Sequence, residues 1–206
     1  DILLDNRSAC VGECGIDKPT KRDVPLSVQE IVLNKHLKVA NELRRPIILH
    51  CVGSWGRLME QLASFCAKEG DNIPSVILHS VNSMHPELVP AFLNLPLNIY
   101  FSFVAIGSEC SDLKREVKRQ RVVTLLRSIP HDRILIETDS PDQIPESIQK
   151  MGNEYSELSC NEISMIRFTC DDISRNLTTL SIHAVAELTT ANACRAFLVE
   201  DQEKDG

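Results

Sequence analysis

Short apolar runs alternate along this chain with longer stretches in which apolar residues recur at helical spacing. Five of the short runs predict strands, at 8–13, 46–50, 75–79, 98–103 and 133–138. Strands that alternate with helices in this way predict a parallel sheet with right-handed crossovers, in which every strand points in the same direction.

The stretches between the strands predict helices that cover the sheet, at 25–45, 57–68, from 86, at 112–128 and at 182–198. The first helix carries apolar residues at helical spacing, namely Val28, Ile31, Val32, Val39 and Leu43. The fourth carries a comparable set, namely Leu113, Val117, Leu125 and Leu126. We expect both sets to face the core.

The segment 142–176 lacks this regularity, because polar residues dominate it and only 163–168 is apolar. We expect a long, partly disordered excursion there. The 206 residues otherwise suffice for one domain with a sizeable core, and we treat 1–206 as a single domain.

Four of the apolar runs lead into residues that can bind a divalent metal ion. Glu13 follows the first run, and His50 and His79 each follow three large aliphatic residues. Glu137 and Asp139 follow the run that begins at residue 134. Because the carboxyl ends of parallel strands meet at one mouth of an α/β barrel, these residues would converge although they are far apart in sequence.

The residue types at these strand ends suit metal-dependent hydrolysis. A lone histidine after an apolar run is usually a core residue held by one hydrogen bond, whereas His50 and His79 at equivalent strand ends favour ligation. Glu13 can bridge two cations, and Asp139 fits a ligand that also accepts a proton from water. Glu137 faces the same way as Asp139 and fits a partner for a histidine ring N–H.

Composition narrows the possible partners and compartments. The net charge is −7, and the densest basic cluster, at 114–121, is more typical of a solvated helix face than of a nucleic-acid footprint. No apolar run approaches the ~20 residues that span a bilayer, so we expect no membrane partner. Eight cysteines without a Cys-x-x-Cys pair, in a chain of this size, favour reduced thiols in the cytoplasm or another reducing compartment.

Four segments carry more specific motifs, at 12–17, 46–50, 77–80 and 129–141. In order and spacing they resemble the TatD family of metal-dependent deoxyribonucleases, and 190–197 resembles the family's C-terminal helix more loosely. The resemblance implies a TIM-type barrel with one or two divalent cations, whether magnesium, manganese or zinc. It places the ligands at Glu13, His50, His79 and Asp139, and it implies hydrolysis of phosphodiester bonds in DNA through metal-activated water.

The chain also departs from the family pattern. The family's first strand carries a His-x-His pair that has no counterpart here, and the chain begins about where the fourth strand should. We therefore expect an N-terminally truncated, incomplete (β/α)8 barrel that holds strands four to eight with their helices. The family's Arg-Asn-Glu-Pro motif is also unmatched in 142–176, where residues 152–154 are a poor substitute.

Three hypotheses about function remain open at this point. The chain is a TatD-type metal-dependent hydrolase acting on DNA, a catalytically incomplete remnant that acts as a binding or regulatory protein, or a related hydrolase on another ester or amide. An incomplete barrel would bind metal weakly, at no more than one site, and would leave strand edges at 8–13 and 133–138 without neighbours. Barrel-facing residues such as Ile48 and Ile77 would be partly wet, so the isolated chain would self-associate and show little activity.

Overall fold

A computed structural model of the chain describes residues 2–6, 8–18, 24–107, 112–145, 148, 159–177 and 179–198. Five parallel strands form one sheet in chain order, which confirms the predicted α/β class. The strands are β1 (Val11–Asp17), β2 (Ile47–Val52), β3 (Val76–Leu78), β4 (Ile99–Phe103) and β5 (Ile134–Ile136). All five therefore end at the same edge of the sheet.

Seven α-helices lie in the described part of the chain: α1 (Ile2–Asp5), α2 (Leu26–Leu43), α3 (Trp55–Glu69), α4 (Val89–Leu93), α5 (Leu113–Ser128), α6 (Ile166–Leu177) and α7 (Ile182–Phe197). Four 3₁₀ turns connect these elements, at Val81–Ser83, Pro86–Leu88, His131–Arg133 and Ile163–Met165. No helix in these described ranges combines the length and apolar character needed to cross a bilayer.

The helix α6 lies inside the segment for which the sequence predicted an excursion. The reason is that α6 buries polar residues as well as apolar ones: Thr169 is 1% and Asp172 4% exposed. Those inward polar side chains interrupt the apolar spacing on which the prediction depended. Residues 146–147 and 149–158 of the predicted excursion lie outside the described residues.

The helix α2 turns a different face to the sheet from the one predicted. It buries Leu33, Leu37 and Ala40. The four valine and isoleucine residues of the predicted inner face remain 36 to 58% exposed, namely Val28, Ile31, Val32 and Val39. Two faces of this helix are apolar, and periodicity alone cannot decide which of them meets the sheet.

The helix α5 packs only through its C-terminal half. Val122, Leu125 and Leu126 are buried, whereas the predicted core residues Leu113 and Val117 are 77% and 62% exposed. The first turns of α5 therefore present a basic surface that also carries exposed apolar side chains.

The face of the sheet that carries Ile48 and Ile77 is covered by α7 at the amino-terminal ends of the strands. Ala196 packs with Ile77, Tyr100 and Leu135, while Ile48 packs against them half-buried. Ile77 is only 3% exposed, so the expectation that it would be wet is wrong. The helix closes the space that an open sheet would otherwise leave to water.

Two buried polar contacts hold α7 in this position. The fully buried Asn192 amide donates to the carbonyl oxygens of His131 at 2.8 Å and Ile134 at 2.7 Å. The hydroxyl of Ser75, just before β3, donates to the carbonyl oxygen of Ala196. Asn192 therefore has a packing role, and it fixes α7 against the start of β5.

Candidate metal centre

A close approach between β1 and β2 positions the first part of the site. Gly15 pairs with His50 in the parallel register. A Cβ atom on Gly15 would lie 1.8 Å from the carbonyl oxygen of His50, so only glycine allows this separation. The contact brings Glu13, two residues earlier on β1, alongside the His50 ring.

The structure brings together the four residues to which the sequence assigned metal binding. The Glu13 Oε1 atom lies 3.0 Å from His50 Nδ1 and 3.8 Å from His79 Nε2. One donor atom from each of these three residues lies within 4.8 Å of the other two. Asp139 joins them on the far side, with Oδ1 3.4 Å from His79 Nε2.

The donor set and its spacing fit a divalent cation. Two imidazoles and two carboxylates are ligands that zinc, manganese and iron accept. The predicted strand 8–13 is in fact Val11–Asp17, so Glu13 lies in the first half of β1 and not at its end. The site opens to solvent on the β1 side, since the Glu13 side chain is 47% exposed whereas that of His79 is 13% exposed. A substrate would therefore approach over Glu13.

Glu137 lies behind the cluster and orients His79. Its Oε1 atom is 2.9 Å from His79 Nδ1 and accepts the backbone N–H of Ser80 at 2.7 Å. Its Oε2 atom accepts the hydroxyl of Ser102 at 2.5 Å. With Nδ1 engaged by Glu137, the other ring nitrogen of His79 faces Glu13 and Asp139. This is the contact by which a carboxylate selects the tautomer of a ligating histidine.

The carboxylates around His79 change its protonation. Burial of the imidazole disfavours its charged form, but the hydrogen bond and charge of Glu137, with the charges of Glu13 and Asp139, outweigh burial. Together they raise the pKa of His79 from 6.5 to about 9. The cluster is therefore an electronegative site that favours a cation, whether that is a proton or a metal ion.

Asp17 contacts the site and was not predicted to belong to it. The Asp17 Oδ2 atom is 3.7 Å from His50 Nε2. The Gln29 amide holds Asp17 in place through its backbone, accepting its N–H at 2.8 Å and donating to its carbonyl oxygen at 3.0 Å. The alternation of side chains along β1 places Asp17 on the same face as Glu13, and this signal was available in the sequence.

Gln143 holds the carboxylate of Asp139 from outside the sheet. Its amide donates to Asp139 Oδ2 and, at 3.2 Å, to the Ser80 hydroxyl. Asp139 itself has φ 57°, a left-handed conformation that aspartate tolerates better than most residues. No sequence pattern pointed to Gln143, because its contact depends on how the chain turns after β5.

Comparison with known proteins identifies the family. A family model described as TatD related DNase matches residues 2–198. The chain is 30% identical over 148 residues to the 3'-5' ssDNA/RNA exonuclease TatD of Edwardsiella piscicida, covering 72% of this chain and 52% of that protein. It is 26% identical over 151 residues to the human 3'-5' RNA nuclease TATDN2, covering 73% of this chain and 18% of that protein.

Solved structures show the same fold at lower identity. The TatD homolog YJJV from Escherichia coli K12 superposes with a TM-score of 0.68 at 18% identity, covering 93% of this chain and 64% of that one. An uncharacterized amidohydrolase from Saccharomyces cerevisiae superposes with a TM-score of 0.66 at 17% identity, covering 90% and 64%. The chain spans about half the length of several curated bacterial relatives, including 52% of the Edwardsiella piscicida protein and 48% of the TatD exonuclease of Klebsiella pneumoniae. The chain belongs to the TatD-related DNase family.

Proposed function

We propose that this chain carries the metal centre of a divalent-metal-dependent nuclease that hydrolyses phosphodiester bonds in DNA. The convergence of Glu13 and His50, within β1 and β2, with His79 and Asp139, which follow β3 and β5, carries the proposal. The names of the relatives, which include ssDNA/RNA exonucleases, support a nucleic-acid substrate.

In this proposal Glu13, His50, His79 and Asp139 hold one or two divalent cations. The mixed imidazole and carboxylate donors favour manganese or zinc, because magnesium prefers oxygen ligands alone. When bound, the cation supplies positive charge that stabilises the phosphoryl oxygens and activates water for attack. Glu13, at the open side, is placed to meet the incoming substrate.

The protein's own groups then orient and move protons. Glu137 holds the His79 ring in one tautomer through Nδ1, so that Nε2 stays directed into the cluster. Gln143 occupies Asp139 Oδ2, which leaves Oδ1 facing the cluster beside His79. We assign to Asp139 Oδ1 the acceptance of a proton from the attacking water.

We further propose that the five strands are strands four to eight of an eight-stranded barrel, and that 1–206 acts as one domain. Two observations support this. The sheet runs from β1 to β5 in chain order, so β1 and β5 are its outer strands. Next to β1, the second apolar face of α2 stays exposed, as expected of a surface that packs against a further barrel segment.

The cysteines support a reducing compartment for this protein. Each cysteine in the described ranges has a free thiol. Burial raises the pKa of both the Cys14 and Cys51 thiols to about 12, so neither is readily oxidised as a thiolate.

Two measurements together test the proposed function. Titration calorimetry with manganese and with zinc on metal-free protein should show binding that Glu13→Gln and His50→Ala each weaken. A 5′-labelled single-stranded oligodeoxynucleotide should then be cleaved only when the cation is present. Metal binding without any cleavage would favour the hypothesis that the chain is catalytically incomplete and acts by binding. Cleavage that persists in EDTA would refute the hypothesis of a metal-dependent nuclease.

A further inference from the structure

A cavity of about 310 Å³ adjoins the metal centre beyond β4 and β5. One wall is α5, which contributes Arg115, Lys118 and Arg119. Gln143 lines the opposite side, and its amide also donates to Asp139 in the metal centre. The cavity and the metal centre therefore share a wall, and an extended ligand can occupy both.

The wall after β4 is held rigidly. Asn82 accepts the backbone N–H of Val104 at 3.2 Å and donates to its carbonyl oxygen at 3.2 Å. The buried carboxylate of Asp172 accepts the backbone N–H groups of Ile106 at 3.1 Å and Gly107 at 3.0 Å. A ligand that enters this cavity meets a preformed surface and does not need to order it first.

The chemistry of the cavity suits an anionic ligand with an apolar part. Three cationic side chains and no carboxylate occur among its described lining residues, although the whole chain has a net charge of −7. One of the three, Arg119, has its charge balanced by Glu116, whose Oε1 atom lies 2.8 Å from the guanidinium. Ile144 and Pro145 supply an apolar side opposite α5. By contrast, a second cavity between α2 and α3 mixes cations with the carboxylates of Glu30, Glu60 and Glu69.

We propose that this cavity binds a nucleotide of the substrate strand next to the one cleaved at the metal centre. Its phosphate lies against Lys118 and Arg115, and its sugar or base lies against Ile144 and Pro145. This inference rests on the proposed function, and it adds the path that the substrate oligonucleotide takes away from the metal centre. Lys118 and Arg115 on α5, a helix that sequence composition had favoured as a solvated surface, become phosphate contacts.

Binding of a fluorescein-labelled single-stranded oligodeoxynucleotide, followed by anisotropy in EDTA, tests the inference on the full protein. We expect Lys118→Gln to raise the Kd at least fivefold at low salt. It should also reduce the slope of log K against log salt by about 0.7, the value for one lost contact to a single strand. Lys118→Arg should restore binding to within twofold of the wild type, because it keeps the charge.

Lys114→Gln is the matched control. Lys114 lies on the same helix, carries the same charge and is exposed, but it does not line the cavity. It should bind the oligonucleotide within twofold of the wild type. Equal losses in the Lys114 and Lys118 variants, or no measurable binding by the wild type, would overturn the inference.

Turnover separates this inference from the proposed function. With metal present, the ratio of oligonucleotide cleavage to bis(4-nitrophenyl) phosphate hydrolysis should fall at least fivefold in Lys118→Gln and remain at the wild-type value in Lys114→Gln. If the wild type hydrolyses neither diester, the proposed function fails, while anisotropy still decides whether the cavity binds a strand. If both diesters are hydrolysed and the ratio is the same in all variants, only the cavity inference fails.

Discussion

Two neighbouring levels of the same sheet face have opposite properties. Ile48 and Ile77 lie on this face, and His50 and His79 follow two residues further along the same strands. The first of these, the lower level, is apolar and packs under α7, with Ile77 3% exposed. The second, the upper level, is polar, and its histidines converge on Glu13. A shift of two residues along a strand therefore separates the part that stabilises the fold from the part that carries the chemistry.

The difference arises from what covers each level. Small residues of α7, Ala193 and Ala196, allow that helix to close over the lower level. The upper level remains open, with the side chains of His50 and Glu13 32% and 47% exposed. Substitutions in the lower level should consequently change stability, and those in the upper level should change metal binding and catalysis. The following experiments test this separation.

The largest effect is expected from Asp139→Asn. The amide keeps the shape of the carboxylate but cannot accept the proton, so nuclease turnover with saturating manganese should fall by about 10²- to 10⁴-fold. The thermal midpoint should change little. Asp142→Asn, at an exposed carboxylate three residues later, is the control and should retain activity. A fall in the thermal midpoint that parallels the loss of activity would contradict the claim that the upper level affects catalysis without affecting stability.

The next effect is expected from Leu135→Ala in the lower level. Leu135 is 4% exposed and packs against Ala196, so removing its side chain leaves a cavity that costs about 2–5 kcal/mol in the free energy of unfolding. Urea denaturation measures this cost. Val28→Ala, on the exposed face of α2, should stay within about 0.5 kcal/mol. Manganese affinity of the folded Leu135 variant should equal that of the wild type; a tenfold loss would couple the two levels.

A smaller effect is expected from Glu137→Gln in the upper level. The carboxylate holds the His79 ring through Nδ1, and losing its charge should weaken metal affinity by about 10- to 100-fold. Titration calorimetry with zinc measures the change. Ser102→Ala, which removes only the hydroxyl that donates to Glu137, should cost less. Equal losses would show that the charge of Glu137 does not matter.

A further effect is expected from pH on the metal-free protein. The pKa of His79 is raised to about 9, so the folded state binds its proton more tightly than the unfolded state. The resulting stability is fully present below about pH 6.5 and is lost as pH rises through 9. In EDTA, the free energy of unfolding should therefore decline between pH 6.5 and 9, and His79→Asn should remove this decline. An unchanged profile in the variant would contradict the assignment.

The site was more predictable than the helix packing around it. Glu13, His50, His79 and Asp139 could be singled out because a ligand-type residue at a strand end is a local pattern, and parallel strands bring such ends together. The contacts made by Asp17 and Gln143 depend on residues far away in sequence or on a turn. Asp17 was visible through strand alternation, and Gln143 was not visible through any pattern.

The helices were less predictable than the site. Their approximate positions followed from apolar periodicity, but the face that each buries did not. In α2 two faces are apolar, and the packing of the sheet, not the pattern, selected Leu33 and Leu37 for the core. In α6, the buried polar residues Thr169 and Asp172 interrupt the apolar pattern from which a helix is predicted. They can face inward because Thr169 donates to the carbonyl oxygen of Glu137 and Asp172 accepts two backbone N–H groups of the loop after β4.

The sequence by itself determined that the strands are parallel and which ligand-type residues accompany them, since both follow from period and spacing along the chain. Only the tertiary structure decided that α7 seals the lower level, that the histidine held by Glu137 is His79, and that the basic half of α5 borders a cavity beside Asp139. Each of these depends on contacts between residues that are distant in sequence. Local patterns carry no information about such contacts until the chain has folded and fixed which surfaces meet.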